Sequence, residues 1–212
     1  MIGLPSEGEQ DIEAIIEMVT KIAGIVRAKQ KRRMVHVAIS PFSPKSHTPF
    51  CREKMESKEA LEKKGACIKG ALRHLRNVKV SYRNPQVTIL ETVMARGDRR
   101  VSELVHLAWR KGARFDGWDE CFNIQRWIDA ASELKMDLDT YLDEIPEDQE
   151  LPWASVSVGV SDSWLKEEKK RALTGETTED CRNGKCTSCG VCENGIRRKV
   201  SDTVFAYTAG GA

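Results

Sequence analysis

The front of the chain confines the fold more than any other part of it. "MIGLP" reads as the end of a buried strand followed by a sharp turn. "MVHVAIS", at residues 34–40, is a short apolar run rich in β-branched residues, the signature of a second buried strand. Between them Ile12, Ile15, Ile16, Val19, Ile22, Ala23 and Val26 recur at helical intervals. That spacing puts them on one face of a helix about five turns long, entered through the acidic Glu7 and Glu9. Strand, long helix and strand predict two parallel strands joined by a crossover, hence an α/β fold. In such folds ligand sites lie where strands end and loops begin. "GLPSE" and "SPFSPKSHTPF" occupy that edge, and the prolines of the second stiffen its loop.

Further along, residues 53–76 are expected to be helical, with Leu61, Ile68, Leu72 and Leu75 on one face. "VKVSYR" and "QVTILE" read as two strands around Asn84-Pro85. Asp98 is a natural N-cap for a helix whose stripe is Val101, Leu104, Val105, Ala108 and Trp109, and which Gly112 ends. A helix over about residues 119–134 carries Phe122, Trp127, Ile128 and Ala131. "VSVGV" alternates like a short strand, and a charged helix follows over about residues 161–173. Core packing is the expectation for Trp109, Phe115, Trp118, Phe122, Trp127 and Trp153.

The strongest chemical signal lies near the C-terminus. Cys181, Cys186, Cys189 and Cys192 stand at C-x4-C-x2-C-x2-C spacing, with small, turn-prone residues in the gaps. Such a loop can turn its sulfurs toward one centre. No apolar run reaches the ~20 residues of a membrane span and no leader opens the chain, so a cytoplasmic setting is expected. There thiols stay reduced, and a metal is favoured over disulfides. Four thiolates suit zinc or an iron–sulfur cluster, and the tight spacing favours [4Fe–4S]. Cys51, Cys67 and Cys121 stand alone and read as packing or incidental residues.

His47 sits in the proline loop at the expected site edge, where a substrate contact or proton relay would serve. Arg96, Asp98 and Arg99 surround a helix start, an arrangement that suits either a cap with salt bridges or an anion site. The basic stretch over residues 27–33 reads as a solvated helix end, with a phosphate-binding patch as the alternative. The formal net charge of the whole chain is only +2, which does not argue for nucleic acid.

"MIGLPSE", the amphipathic helix and "VAISPFSPKSHTPF" resemble the later barrel strands of the radical S-adenosylmethionine (radical SAM) superfamily. "ETVMARGDRR", "AWRKGARFDGW", "LPW" and "TTEDCRNGKCTSCGVC", in that order, resemble a subfamily with a cobalamin-binding-type domain ahead of the barrel. The resemblance spans about residues 1–192. It implies the C-terminal part of a partial (β/α)₆ barrel over residues 1–76 and a smaller, mostly helical α+β domain over 77–175. A four-cysteine metal-binding loop would follow over 176–196. Residues 197–212 show little pattern and end Gly-Gly-Ala, so a disordered tail is expected there. Gly3, Pro5, Glu7, Ile39 and Ser40 would lie near bound S-adenosylmethionine. The cysteines would hold an auxiliary [4Fe–4S] cluster or zinc, and cobalamin would belong to a domain outside this chain. Ser46, Cys51 and Arg52 depart from the pattern of the loop, and the catalytic CxxxCxxC is absent from the sequence. The expectation is therefore a distal piece whose partner is an N-terminal part of the same protein, with RNA as a possible substrate class. The alternative is a zinc-stabilised module that binds RNA or another anion.

Overall fold

The computed structural model describes residues 1–29, 33–181 and 186–194. Helix α1 spans Glu9–Lys29 and leads into strand β1, Val35–Ile39. Helix α2, Lys58–Leu72, then leads into strand β2, Val78–Tyr82. The two strands pair in parallel, with Val35 opposite Val78, Val37 opposite Val80 and Ile39 opposite Tyr82. Ile2 adds an isolated parallel bridge to Pro41, on the far end of the β1 line. Its amide donates to the Ser40 carbonyl at 3.1 Å and its carbonyl accepts from Phe42 at 2.7 Å. The expected long helix and the strand after it are thus present, whereas the expected first strand is reduced to the single bridge at Ile2. The sheet runs across position 77, at which the sequence reading divided the chain.

One face of this sheet is packed. Ile12 and Val19 of α1, Ile39 of β1, and Leu61, Ile68 and Leu72 of α2 form a buried cluster with Ile2 and Met55. Gly65 allows the close fit of α2 on β2: a Cβ there would lie 2.6 Å from the Tyr82 ring. The Tyr82 hydroxyl donates to the Leu61 carbonyl at 2.8 Å, which satisfies the one polar atom the ring brings into this layer. The opposite face carries His36, Ala38, Lys79 and Ser81, all exposed.

Helix α3 spans Pro85–Arg96, and this corrects the expected strand at "QVTILE". β-branched residues suggested a strand, but Pro85 sits in the first helical turn, where its missing N–H costs nothing. The Asn84 side chain accepts from the Gln86 amide at 3.0 Å as the cap. Thr88, Thr92 and Arg96, four residues apart, are all buried on one side. Helices α4, Arg100–Arg110, and α5, Ile124–Glu133, complete a second core. It is made of Leu90, Val93, Leu104, Ala108, Trp127 and Ala130, with neighbours. Trp127 is buried as expected, and its Nε1 donates to Asp116 at 3.2 Å. Trp109, Phe115 and Trp118 are exposed, against the expectation of core packing. Small residues, Ala108, Ala130 and Ala131, line the α4–α5 contact beside the buried Trp127.

Helix α6, Asp162–Thr174, is the expected charged helix. The expected helix over 53–76 begins five residues late because residues 49–53 form turns and a bend and residues 54–57 are irregular, and Ser57 caps it by accepting from Ala60 at 3.2 Å. "VSVGV" forms no strand: it has no partner strand in the sheet, and Gly159 takes a left-handed φ of 84°. Residues 197–212, expected to be disordered, lie outside the described residues.

Candidate functional site

The turn after Ile2 is built around one carboxylate. Gly3 adopts φ +82°, and a Cβ there would lie 2.7 Å from Leu61 Cδ2, so both backbone and space require glycine. The Gly3 amide donates to Glu7 Oε1 at 2.8 Å, and Lys64 Nζ donates to the same oxygen at 2.9 Å and to Glu56 Oε2 at 2.8 Å. Burial pulls the Lys64 ammonium down, but its hydrogen bonds to Glu56 and Glu7 outweigh that and hold it above its ordinary value. Glu7 is thus the internal brace of the turn, with its side chain only 4% exposed. Pro5 is exposed at the tip of the turn. Ile39 points into the helix-side core, whereas the neighbouring Ser40 is exposed.

The proline loop closes over the end of β1. Ser43 and Thr92 share a 2.7 Å hydrogen bond, Lys45 pairs with Glu91, and Phe42 meets Phe50 edge-on. Arg83 also reaches Glu91, at 3.2 Å. His47 takes a left-handed φ of 57°, which is uncommon outside glycine, and its ring lies 6.3 Å from that of Trp153. Between this loop and residues 150–162 is a cavity of about 350 Å³. His47, Arg52, Trp153, Val156, Val158 and Asp162 are among its walls. Buried Cys51 lies just behind, its thiol pushed up by that burial.

The candidate anion site at "ARGDRR" resolves differently. Arg96 is 2% exposed, and its guanidinium donates to three backbone carbonyls: Glu53 at 3.0 Å, Asp143 at 2.7 Å and Leu142 at 3.5 Å. It clamps α3 to two loops and offers no donor to a solvent anion. Asp98 accepts from the Arg100 amide at 2.9 Å and from the Arg100 guanidinium at 3.0 Å, with the Tyr141 hydroxyl at 3.3 Å. The Arg100 hydrogen bonds hold its carboxyl below the usual range. A carboxylate therefore already occupies the start of α4, which is where an anion would have bound. Arg99 is exposed beside it.

The cysteine loop is anchored next to the His47 cavity. The Ser161 amide, at the head of α6, donates to the Cys189 carbonyl at 2.9 Å. Gly190, at φ +96°, sits so close that a Cβ would lie 2.7 Å from the Gly159 carbonyl oxygen. The Ser188 amide donates to Cys186 Sγ at 3.4 Å, the kind of contact that stabilises a sulfur carrying negative charge. Among the described residues no group of three or more His, Cys, Asp or Glu is arranged to hold a metal ion. Residues 182–185, inside the first cysteine interval, lie outside the described residues.

Sequence reasoning missed a second hollow, about 590 Å³, beyond the end of β2. Tyr82, Asn84, Cys121, Asn123 and Arg126 line it. The misread strand at residues 86–91 hid it, since only a helix starting at Pro85 turns Asn84 and Gln86 toward α5.

Fold and site together define a mixed α/β protein with a parallel sheet and a cysteine-rich segment docked beside a loop cavity. No helix of the described residues is long and apolar enough to cross a membrane. The chain is 32% identical over 103 residues to uncharacterized protein MJ0966 of Methanocaldococcus jannaschii. That match covers 49% of this chain and 21% of the archaeal protein, so the chain spans about a fifth of its relative's length. No family model matches the chain, and no solved structure matches it.

Proposed function

We propose that the chain is the distal part of a radical SAM enzyme, contributing late barrel strands and an auxiliary thiolate centre. The open face of the sheet carries this reading. Parallel sheets are covered on both faces, yet His36, Ala38, Lys79 and Ser81 face solvent. The order Ile2, then β1, then β2 follows the chain, with α1 and α2 packed against one another, an order that consecutive barrel strands would also have. In a barrel the polar face would line the lumen. The outer flank of α1 fits too: Met18, Ile22 and Ile25 form an exposed apolar row at helical spacing, suited to a preceding helix.

In this arrangement Gly3, Pro5 and Glu7 shape one wall of the S-adenosylmethionine site and Ser40 another. Ile39 contributes backbone alone, because its side chain belongs to the helix-side core. When bound, S-adenosylmethionine would supply the chemistry: one electron from a cluster held outside this chain would release methionine and give a 5′-deoxyadenosyl radical able to take hydrogen from a substrate. Cys181, Cys186, Cys189 and Cys192 are the ligand set for an auxiliary [4Fe–4S] cluster or zinc. The sulfur-directed amide of Ser188 and the left-handed turns at Ser188 and Gly190 support a thiolate centre. A cobalamin-binding domain and the CxxxCxxC cluster would belong to other parts of the same polypeptide.

Anaerobic purification with metal analysis and an absorption spectrum tests the centre. About four irons with sulfide per chain, lost in Cys186→Ala, supports the auxiliary cluster, and one zinc without colour replaces it by a structural site. Reductive cleavage of S-adenosylmethionine by this chain alone would overturn the assignment of the catalytic cluster to residues outside it.

A further inference from the structure

We propose that the end of the sheet opposite the loop sites binds the phosphodiester backbone of a nucleic acid. At the entry of β1 and β2, a concavity of about 400 Å³ is lined by Arg27, Arg33, His74, Arg76 and Asn77, with two apolar neighbours. No Asp or Glu is among its described lining residues. The sequence explains why. No acidic residue stands between Glu17 and Glu53, and none between Glu62 and Glu91. The first of these stretches runs through the end of α1 into β1, and the second through α2 into β2. The fold brings the two together where the Val35 amide donates to the Asn77 carbonyl at 2.8 Å and Asn77 Nδ2 donates to the Ala23 carbonyl at 2.9 Å. The small net charge of the whole chain conceals this concentration.

Several cations elsewhere in the molecule are ion-paired, although Arg99, Arg110 and Arg126, which do not share one concavity, are not among them. On α6, Lys166 pairs with Glu147, Lys169 with Glu53 and Arg171 with Glu168. Among the described residues no carboxylate lies within ion-pair distance of Arg27, Arg33 or Arg76. The C-termini of α1 and α2 point here, but two helix ends supply together only about one negative elementary charge. Three guanidiniums exceed that, and Lys29 and Arg73 stand close by in sequence. An anion that spans several cations relieves the surplus, as successive phosphates do. No Phe, Tyr or Trp is among its described lining residues, and His74 is the one ring there, so the contact reads mainly backbone. This inference stands apart from the radical SAM reading, which concerns the other end of the strands.

The test is fluorescence anisotropy of labelled oligouridylate and oligothymidylate with the full chain at low salt, repeated across a salt series. Binding should weaken linearly in log salt. The Arg27→Gln/Arg33→Gln/Arg76→Gln variant should weaken it on the order of tenfold and reduce the slope by about two, at ~0.7 per lost contact to a single strand. These side chains are exposed, and an unchanged circular dichroism spectrum and melting temperature will show that the fold is retained. Oligouridylate preferred over oligothymidylate identifies RNA, and equal binding identifies a backbone site indifferent to the sugar. The proposal is overturned by no binding at low salt, or by loss of binding in Arg99→Gln/Arg100→Gln in place of the triple variant. It is also overturned if the chain binds phosphatidylserine vesicles and neither oligonucleotide.

Discussion

The helical unit of α3, α4 and α5 and the sheet unit of β1, β2, α1 and α2 bury their apolar residues in opposite ways. The helical unit closes on itself: Val93, Leu104, Ala108 and Ala130 are fully buried from three sides. The sheet unit has an equally tight core on its helix side, with Leu61 and Ile68 fully buried, while His36, Ala38, Lys79 and Ser81 on its other side are exposed. The difference teaches that a complete core need not mean a complete layer. One whole face of the sheet is exposed, while the helical unit turns both polar residues, such as Glu103 and Arg110, and the rings of Trp109 and Trp118 to solvent around a closed core.

The comparison can be broken at several points. Arg96→Ala should have the largest effect, about 4 kcal/mol by urea unfolding, because the Glu53 and Asp143 carbonyls lose a guanidinium donor at the joint between the units, and Leu142 keeps only the Met55 amide. An effect below ~1 kcal/mol would mean that the two units are not joined there. Leu104→Ala should cost about 3 kcal/mol by leaving a cavity in the helical core. Gly65→Ala should cost about 2 kcal/mol, since its new methyl meets the Tyr82 ring between α2 and β2.

A smaller effect is expected from Lys64. Its folded-state pKa is raised, so its stabilisation is fully present below the unfolded value of about 10.4 and is lost as pH rises through the folded value. The stability of the wild type should therefore fall above about pH 10.4, and Lys64→Met should flatten that fall by roughly 1 kcal/mol. The smallest change is expected on the open face: Lys79→Ala should shift stability by less than about 0.5 kcal/mol. A larger loss would show that this face is covered within the chain itself, which would remove the contrast between the two units.

Much of this was legible in residue order. The strands at Val35–Ile39 and Val78–Tyr82 and the buried Ile12, Val19 and Ala23 of α1 and Val101, Leu104 and Ala108 of α4 follow from spacing, but Ile22, Val105 and Trp109, placed on the same stripes, are exposed. "QVTILE" was not, because local β-propensity pointed one way while the Asn84 cap, Pro85 and a buried four-residue period pointed the other. The role of Arg96 was equally hidden. An arginine beside a helix start looks like an anion ligand until its carbonyl partners, more than forty residues away on both sides, are known. The basic concavity could be read only in part: the acid-free stretches are visible in the sequence, but not that they end side by side.

The cysteine spacing, the proline loop and the alternation of charge with apolar faces are properties of the chain, because each depends on neighbours a few residues apart. Which face of the sheet stays open, which guanidinium is buried and which cations lack a counter-charge depend on segments distant in sequence. Burial and Coulomb interactions act through space, so those outcomes belong to the packed molecule and appear only once its helices and strands are in place.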